Sequence, residues 1–90
     1  LQSQVNNANY QIYAREAELE RTENRIRQVE ADLISSETPA EDRALRMNDL
    51  KELSERIGEI KAEIVDLIEK RVIYERQLAH YEAIIADTYY

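Results

Sequence analysis

Apolar residues recur every seven positions through both halves of this chain, and this heptad repeat most constrains its fold. In the first half the a positions of the repeat are Val5, Ile12, Leu19, Ile26 and Leu33. In the second half the a and d positions are Leu50, Leu53, Ile57, Ile60, Ile64, Leu67, Arg71, Tyr74, Leu78, Tyr81, Ile85 and Thr88. A repeat sustained over about five heptads predicts coiled-coil helices.

The repeat is interrupted once, at residues 35–41. Pro39 is the only proline, and we expect it at the first position of a helix, where its missing N–H costs no hydrogen bond. Thr38 is expected to cap that helix, with Glu41 completing a capping box. We therefore predict a first helix over about residues 2–36, a turn at about 36–38, and a second helix over about 39–88. So short a connection makes the two helices antiparallel neighbours.

The two sets of heptads can be matched to each other. If the numbers of facing residues add up to 79, every a position faces a d position, so that Val29 faces Leu50 and Leu19 faces Ile60. The centre of this pairing falls beside Pro39, although the heptads and the capping pattern are independent signals. The sequence thus predicts an all-α fold in which residues 1–90 form a single long antiparallel two-helix coiled-coil hairpin.

Charged residues are expected at the outer positions of both helices. Four pairs have the favourable i,i+4 spacing, namely Glu23–Arg27, Asp42–Arg46, Glu52–Arg56 and Asp66–Lys70. Two arginines, Arg15 and Arg71, interrupt the apolar seam. We expect their side chains to pass the seam and reach its polar rim, although a partner's carboxylate is an alternative target.

The composition excludes several classes of function. The chain has 12 basic and 19 acidic residues, which argues against nucleic acid or anionic lipid as the partner. No apolar run approaches the roughly 18 residues of a membrane span. There is no cysteine for thiolate chemistry, and a lone Gly58 cannot form a phosphate-binding loop. His80, the only histidine, is expected to be a solvated surface residue. We therefore expect no catalysis, no cofactor, no metal and no small-molecule substrate, while the compartment stays open.

Helix 2 has more apolar surface than a two-helix seam needs. Residues 79–90 have no partner in the predicted pairing, and Val65, Val72 and Ile68 lie at b and e positions outside the seam. Together they widen the apolar face to about 160°. A two-helix hairpin also has a thin core. We expect further helices to cover this face, from a second copy in a dimeric four-helix bundle or from a longer parent protein.

All six aromatic residues are tyrosines in the half of the hairpin near the two termini, which we call the base. Tyrosine is favoured at interfaces, although Tyr74 and Tyr81, at d positions, can instead fill the wide end of the bundle. Residues 1–14 carry no charged side chain, which fits contact with another chain or a fraying helix end. The predicted partner interface comprises Tyr10, Tyr13, Val65, Ile68, Val72, Tyr74, Tyr81, Ile84, Ile85 and Tyr89.

These features favour a non-catalytic structural or interaction module that mediates oligomerisation, in a homodimer or with a partner helix. A first alternative is a projecting arm of a larger protein, since Leu1 stands where Met would begin a chain. Its shape resembles the hairpin of periplasmic adaptor proteins of bacterial secretion and efflux systems, and the resemblance implies docking by the tip. Their Arg-x3-Leu-x6-Ser tip motif is matched only in spacing by Arg43, Met47 and Ser54, which all lie inside predicted helix 2.

A second alternative is a small acidic regulator or inhibitor that mimics nucleic acid. The 12 basic residues interspersed among the acidic ones argue against it, because mimicry needs unbroken rows of negative charge.

Overall fold

The computed structural model describes residues 1–89, and the side chains of residues 1–88. Helix α1 spans Gln2–Ile34 and helix α2 spans Ala40–Tyr89. The helices pack side by side in a molecule that measures 75 × 15 × 14 Å. The predicted all-α hairpin is therefore confirmed. α1 ends two residues before the predicted boundary at residue 36.

Side-chain contacts between the helices define how α1 and α2 are aligned. At three levels along the hairpin these contacts are Asn9–Arg71 at 3.1 Å, Arg15–Glu63 at 3.0 Å and Asp32–Arg46 at 3.3 Å. The residue numbers of these pairs add up to 80, 78 and 78. These three pairs lie within one residue of the register that the heptads predict, whereas the Arg56–Glu18 pair, whose numbers add up to 74, is offset from it by five residues.

The apolar core between the helices is narrow. Within the part of the chain that the structure describes, five apolar side chains are buried, and all lie at a or d positions: Val5, Ala8, Ile12, Val29 and Ile60. The other seam residues with large side chains, such as Leu19 and Leu53, are only half-buried. Two helices cannot enclose a seam from every side, so most of its side chains keep a solvent-exposed flank.

The hydrogen bonds that hold the turn differ from the predicted cap of helix 2 by Thr38. The Thr38 hydroxyl donates to the Asp32 carbonyl oxygen at 2.7 Å, so it ties the turn to α1 instead of capping α2. Pro39 precedes α2, and its carbonyl accepts the N–H of Arg43 at 3.0 Å. The Arg43 guanidinium donates to the carbonyl oxygens of Ser35 at 2.8 Å and Thr38 at 3.2 Å. The last carbonyls of a helix lack donors within it, and Arg43 supplies one to Ser35, directly after α1, while its second bond holds the turn at Thr38.

α2 extends beyond the beginning of α1. α2 has 50 residues and α1 has 33. Leu1 lines a shallow hollow with Gln77, His80 and Tyr81, which places the start of α1 at that level of α2. Residues 82–88 continue past it and are exposed. Over the described residues, no helix combines the length and apolarity that a membrane span requires.

Candidate interaction surface

The hairpin has two broad faces that differ in chemistry. In an antiparallel pair the g positions of both helices lie along one face, and the e positions lie along the other. The g face carries a cluster of charges that link the two helices, which we call the charge cluster: Arg15, Glu18, Arg56, Glu59 and Glu63. The e face carries apolar side chains of α2.

The charge cluster forms a closed ring of ion pairs. Arg15 lies 3.0 Å from both Glu18 and Glu63. Arg56 Nη2 lies 2.6 Å from Glu18 Oε1, and Arg56 Nη1 lies 3.1 Å from Glu59 and 3.5 Å from Glu63. The Arg15–Glu63 contact is an ion pair without an aligned hydrogen bond, since Glu63 Oε2 accepts none. Arg15 thus leaves its seam position and reaches the polar rim.

Hydrogen bonds within the charge cluster favour the ionised forms of Glu18 and Arg56. Those from Arg56 and then Arg15 lower the pKa of Glu18 below its ordinary value. Those to Glu18 and then Glu59 raise the pKa of the Arg56 guanidinium. Each carboxylate therefore has an arginine beside it, and the ring has the character of a structural link between helices.

Only one of the four predicted i,i+4 ion pairs forms. Lys70 lies 2.9 Å from Asp66, and this contact raises the pKa of the Lys70 ammonium. The other three arginines have different partners: Arg27 donates to Asn24, Arg46 pairs with Asp32 and Asp49, and Arg56 joins the charge cluster. The two helices bring carboxylates within reach that helical spacing alone does not reveal.

The e face of α2 carries an uncovered apolar stripe, which we call the α2 stripe: Gly58, Val65, Ile68, Val72 and Ala79. Val65 is 56% exposed, Ala79 is exposed, and Ile68 and Val72 are half-buried. Apart from Gly58 itself, its two neighbours and the nearby backbone of α2, no atom lies within 4 Å of the point where a Cβ on Gly58 would stand. The α2 stripe is thus open to another helix along its length.

A second apolar surface lies at the base, where α2 extends past the beginning of α1. Tyr81 and Ile85 continue the a and d seam past the level of Leu1, and both are 56% exposed. Ile84, beside them, is also exposed. These three residues, which we call the base seam, are the part of the coiled-coil seam that α1 does not reach.

The predicted tyrosines are placed in three different environments. Tyr13 is 75% exposed at a b position of α1, on the same broad face as the α2 stripe. Tyr10 is exposed on the outer side of α1, away from that face. Tyr74 lines a groove between the helices together with Ala8 and Leu67, so it contributes to the inside of the hairpin. The side chain of Tyr89 lies outside the described residues.

Two exposed isoleucines were not among the predicted interface residues. Ile73 is 52% exposed at a c position, and Ile34 is 84% exposed at the end of α1. Both are apolar residues off the a and d seam, which is the sequence signal that singles them out. With Leu45 and Met47, also exposed, Ile34 makes the tip of the hairpin partly apolar.

Although acidic side chains are numerous, those of the described residues are not grouped as metal ligands. The described part of the chain holds no cluster of three or more His, Asp or Glu side chains that could bind a metal ion. His80 is exposed, and its ring lies 6.1 Å from that of Tyr81.

Comparison with protein-family models, with curated proteins and with solved structures finds no match to this chain. By its fold and surfaces it is a two-helix coiled-coil hairpin whose α2 stripe and base seam are uncovered.

Proposed function

We propose that this chain is a non-catalytic coiled-coil module that mediates oligomerisation, by packing the uncovered apolar surface of α2 against a second copy of itself. The observation that carries the proposal is the imbalance between the five buried side chains and the exposed apolar residues of α2. Contiguous apolar surface on a small protein marks an interaction site, and a thin core gains stability from association.

The distribution of charge supports the same proposal. On the g face, arginines and carboxylates neutralise one another within the chain. On the e face, the α2 stripe has apolar or small side chains and an open Gly58. A partner that covered the e face would bury apolar surface without dismantling the charge cluster.

The solution mass of the chain tests the proposal. We expect light scattering after size exclusion, over a wide concentration range, to give about 21 kDa or a higher multiple of the 10.6 kDa of one chain. A mass of one chain at every concentration contradicts self-association.

The contribution of the base seam is tested by a double variant, Tyr81→Ala with Ile85→Ala. Both side chains are exposed in the described structure, so the variant should keep its helical circular dichroism, and a dissociation constant higher than that of the parent would place the base seam in the interface. The matched control is Ile34→Ala with Leu45→Ala, which removes apolar groups that are at least as exposed, at the opposite end of the hairpin. Equal dissociation constants for the parent and the base-seam variant would mean that the base seam is not part of the interface.

A second candidate function is a projecting arm that docks a partner by its tip. The exposed Ile34, Leu45 and Met47 at the turn favour it. A monomeric mass in the light-scattering experiment would place this candidate first.

A further inference from the structure

We infer that the second copy packs its α2 antiparallel against this α2, with a two-fold axis beside Ile68. The inference rests on the proposed self-association and adds the surface, the direction and the register of the contact. It follows from the order of side chains along the e face of α2. When two copies of α2 run in opposite directions, this order places complementary side chains opposite each other.

The apolar side chains match when the numbers of facing residues add up to 136 or 137. Ile68, at an e position, then meets the partner's Ile68 on the axis. Val65 meets the partner's Val72, and Gly58 meets the partner's Ala79. Large residues thus meet at the centre of the contact and small residues at both ends. The matched segment, residues 58–79, is about 33 Å long at 1.5 Å per residue.

Charges flanking the axis are complementary in the same register. Lys61 and Glu75 lie at e positions seven residues to either side of Ile68, so Lys61 meets the partner's Glu75 twice, by symmetry. Lys61 is exposed and makes no salt bridge to any described residue. Glu75 is exposed, and its salt bridge in the chain is a 3.7 Å contact with Arg71. One heptad further out, Glu82 meets the partner's Ser54, so the e positions bring no like charges together.

The uncharged beginning of α1 fits this arrangement. Residue 11 of α1 lies at the level of Ile68, so the uncharged residues 1–14 lie at the level of the axis. Tyr13, 75% exposed on the same face, stands beside it. A second hairpin stacked on this face can therefore approach α1 at the axis without burying a charged side chain.

Charge reversal tests the register. Lys61→Glu alone places Glu opposite Glu75, and Glu75→Lys alone places Lys opposite Lys61, each at two symmetric positions. We expect either variant to raise the dimer Kd about tenfold, because two attractive pairs become repulsive. An equimolar mixture of the two variants should return the Kd to the parental value, since every facing pair is then Lys opposite Glu. The double variant should also dimerise like the parent.

A disulfide tests the position of the axis. The chain has no cysteine, so Ile68→Cys introduces the only thiol. A residue on a two-fold axis meets its own copy, and we expect this variant to form a covalent dimer under mild oxidation. The matched control is Ile73→Cys, a more exposed isoleucine on the other side of α2, which should remain uncrosslinked.

The outcomes separate this inference from the proposed function. A dimer whose Kd is unaffected by either charge reversal, or which crosslinks equally at positions 68 and 73, overturns the register and leaves self-association standing. A monomeric parent chain overturns both.

Discussion

At the scale of single residues, arginines carry most of the polar contacts that join α1 to α2. Arg46, Arg56 and Arg71 of α2 each contact a side chain of α1, Arg15 of α1 contacts Glu63 of α2, and Arg43 bonds to the turn. Helical spacing predicted different partners for Arg46 and Arg56. An arginine side chain is long enough to reach a carboxylate one turn away on its own helix or one on the other helix. The side-chain geometry therefore decides which ion pair forms.

Replacing Arg43 should loosen the turn. Arg43→Ala removes two hydrogen bonds to the carbonyls of Ser35 and Thr38, together with a cation at the end of α1. We expect the free energy of unfolding to fall by about 1–2 kcal/mol in urea denaturation followed by circular dichroism. The control is Arg21→Ala, an exposed arginine on the outer side of α1. Equal losses in the two variants would contradict the role of Arg43.

Glu18 should make part of the stability depend on pH. Its pKa is lowered in the fold from an ordinary value of 4.5 by hydrogen bonds from Arg56 and Arg15. A lowered carboxyl pKa stabilises the fold above the unfolded value, and this contribution is lost as the pH falls through the folded value. We expect Glu18→Gln to lower Tm at pH 7, and the gap to the parent to narrow below about pH 4.5.

The matched control for this pH dependence is Glu69→Gln, at an exposed position on the outer side of α2. It should lower Tm little at any pH. A gap between Glu18→Gln and the parent that is constant from pH 7 to pH 3 would contradict the coupling to the arginines.

At the scale of the helices, the heptads were sufficient to predict the pairing of α1 with α2. The register follows from them because one face of each helix must turn towards the other over about five heptads. The cap of α2 was not predictable in the same way. The Thr38 hydroxyl has a free carbonyl within reach on α1, and the choice between caps depends on the turn geometry.

For the predicted interface residues too, the heptad periodicity determines only part of the placement. The positions of Val65, Ile68 and Val72 on one stripe follow from helical periodicity alone. The d position of Tyr74 left two placements open, at the partner interface or inside the wide end of the bundle, and in the structure Tyr74 lines the groove between the helices.

Shortening a side chain to alanine should lower the free energy of unfolding much more in the seam than on the outer surface of α2. Ile60 is fully buried and Ile73 is 52% exposed. We expect Ile60→Ala to lower the free energy of unfolding by about 3 kcal/mol, through lost burial and a residual cavity. Ile73→Ala should lower it by less than about 1 kcal/mol. Urea denaturation of both variants at one chain concentration checks this, and similar losses would mean that the seam is not aligned as described.

At the scale of the whole molecule, the inferred two-fold axis sets the length of the dimer. The tip of one hairpin lies about 43 Å from the level of Ile68, counting 1.5 Å per residue along α2. Two copies related by an axis at that level therefore span about 85 Å, only slightly more than the 75 Å of one hairpin. Two hairpins joined end to end through the base seam, or two chains opened into continuous rods, would span about 135 Å.

Small-angle X-ray scattering on the dimer separates these shapes. We expect a maximum dimension near 85 Å and a cross-section wider than that of one hairpin, because the copies lie side by side. A maximum dimension near 135 Å would mean that the base seam, or an opened hairpin, forms the contact, and the axis beside Ile68 would be wrong. The Tyr81→Ala, Ile85→Ala variant distinguishes the two long forms: it dissociates a dimer joined at the base seam, whereas an opened pair keeps the α1–α2 seam intact.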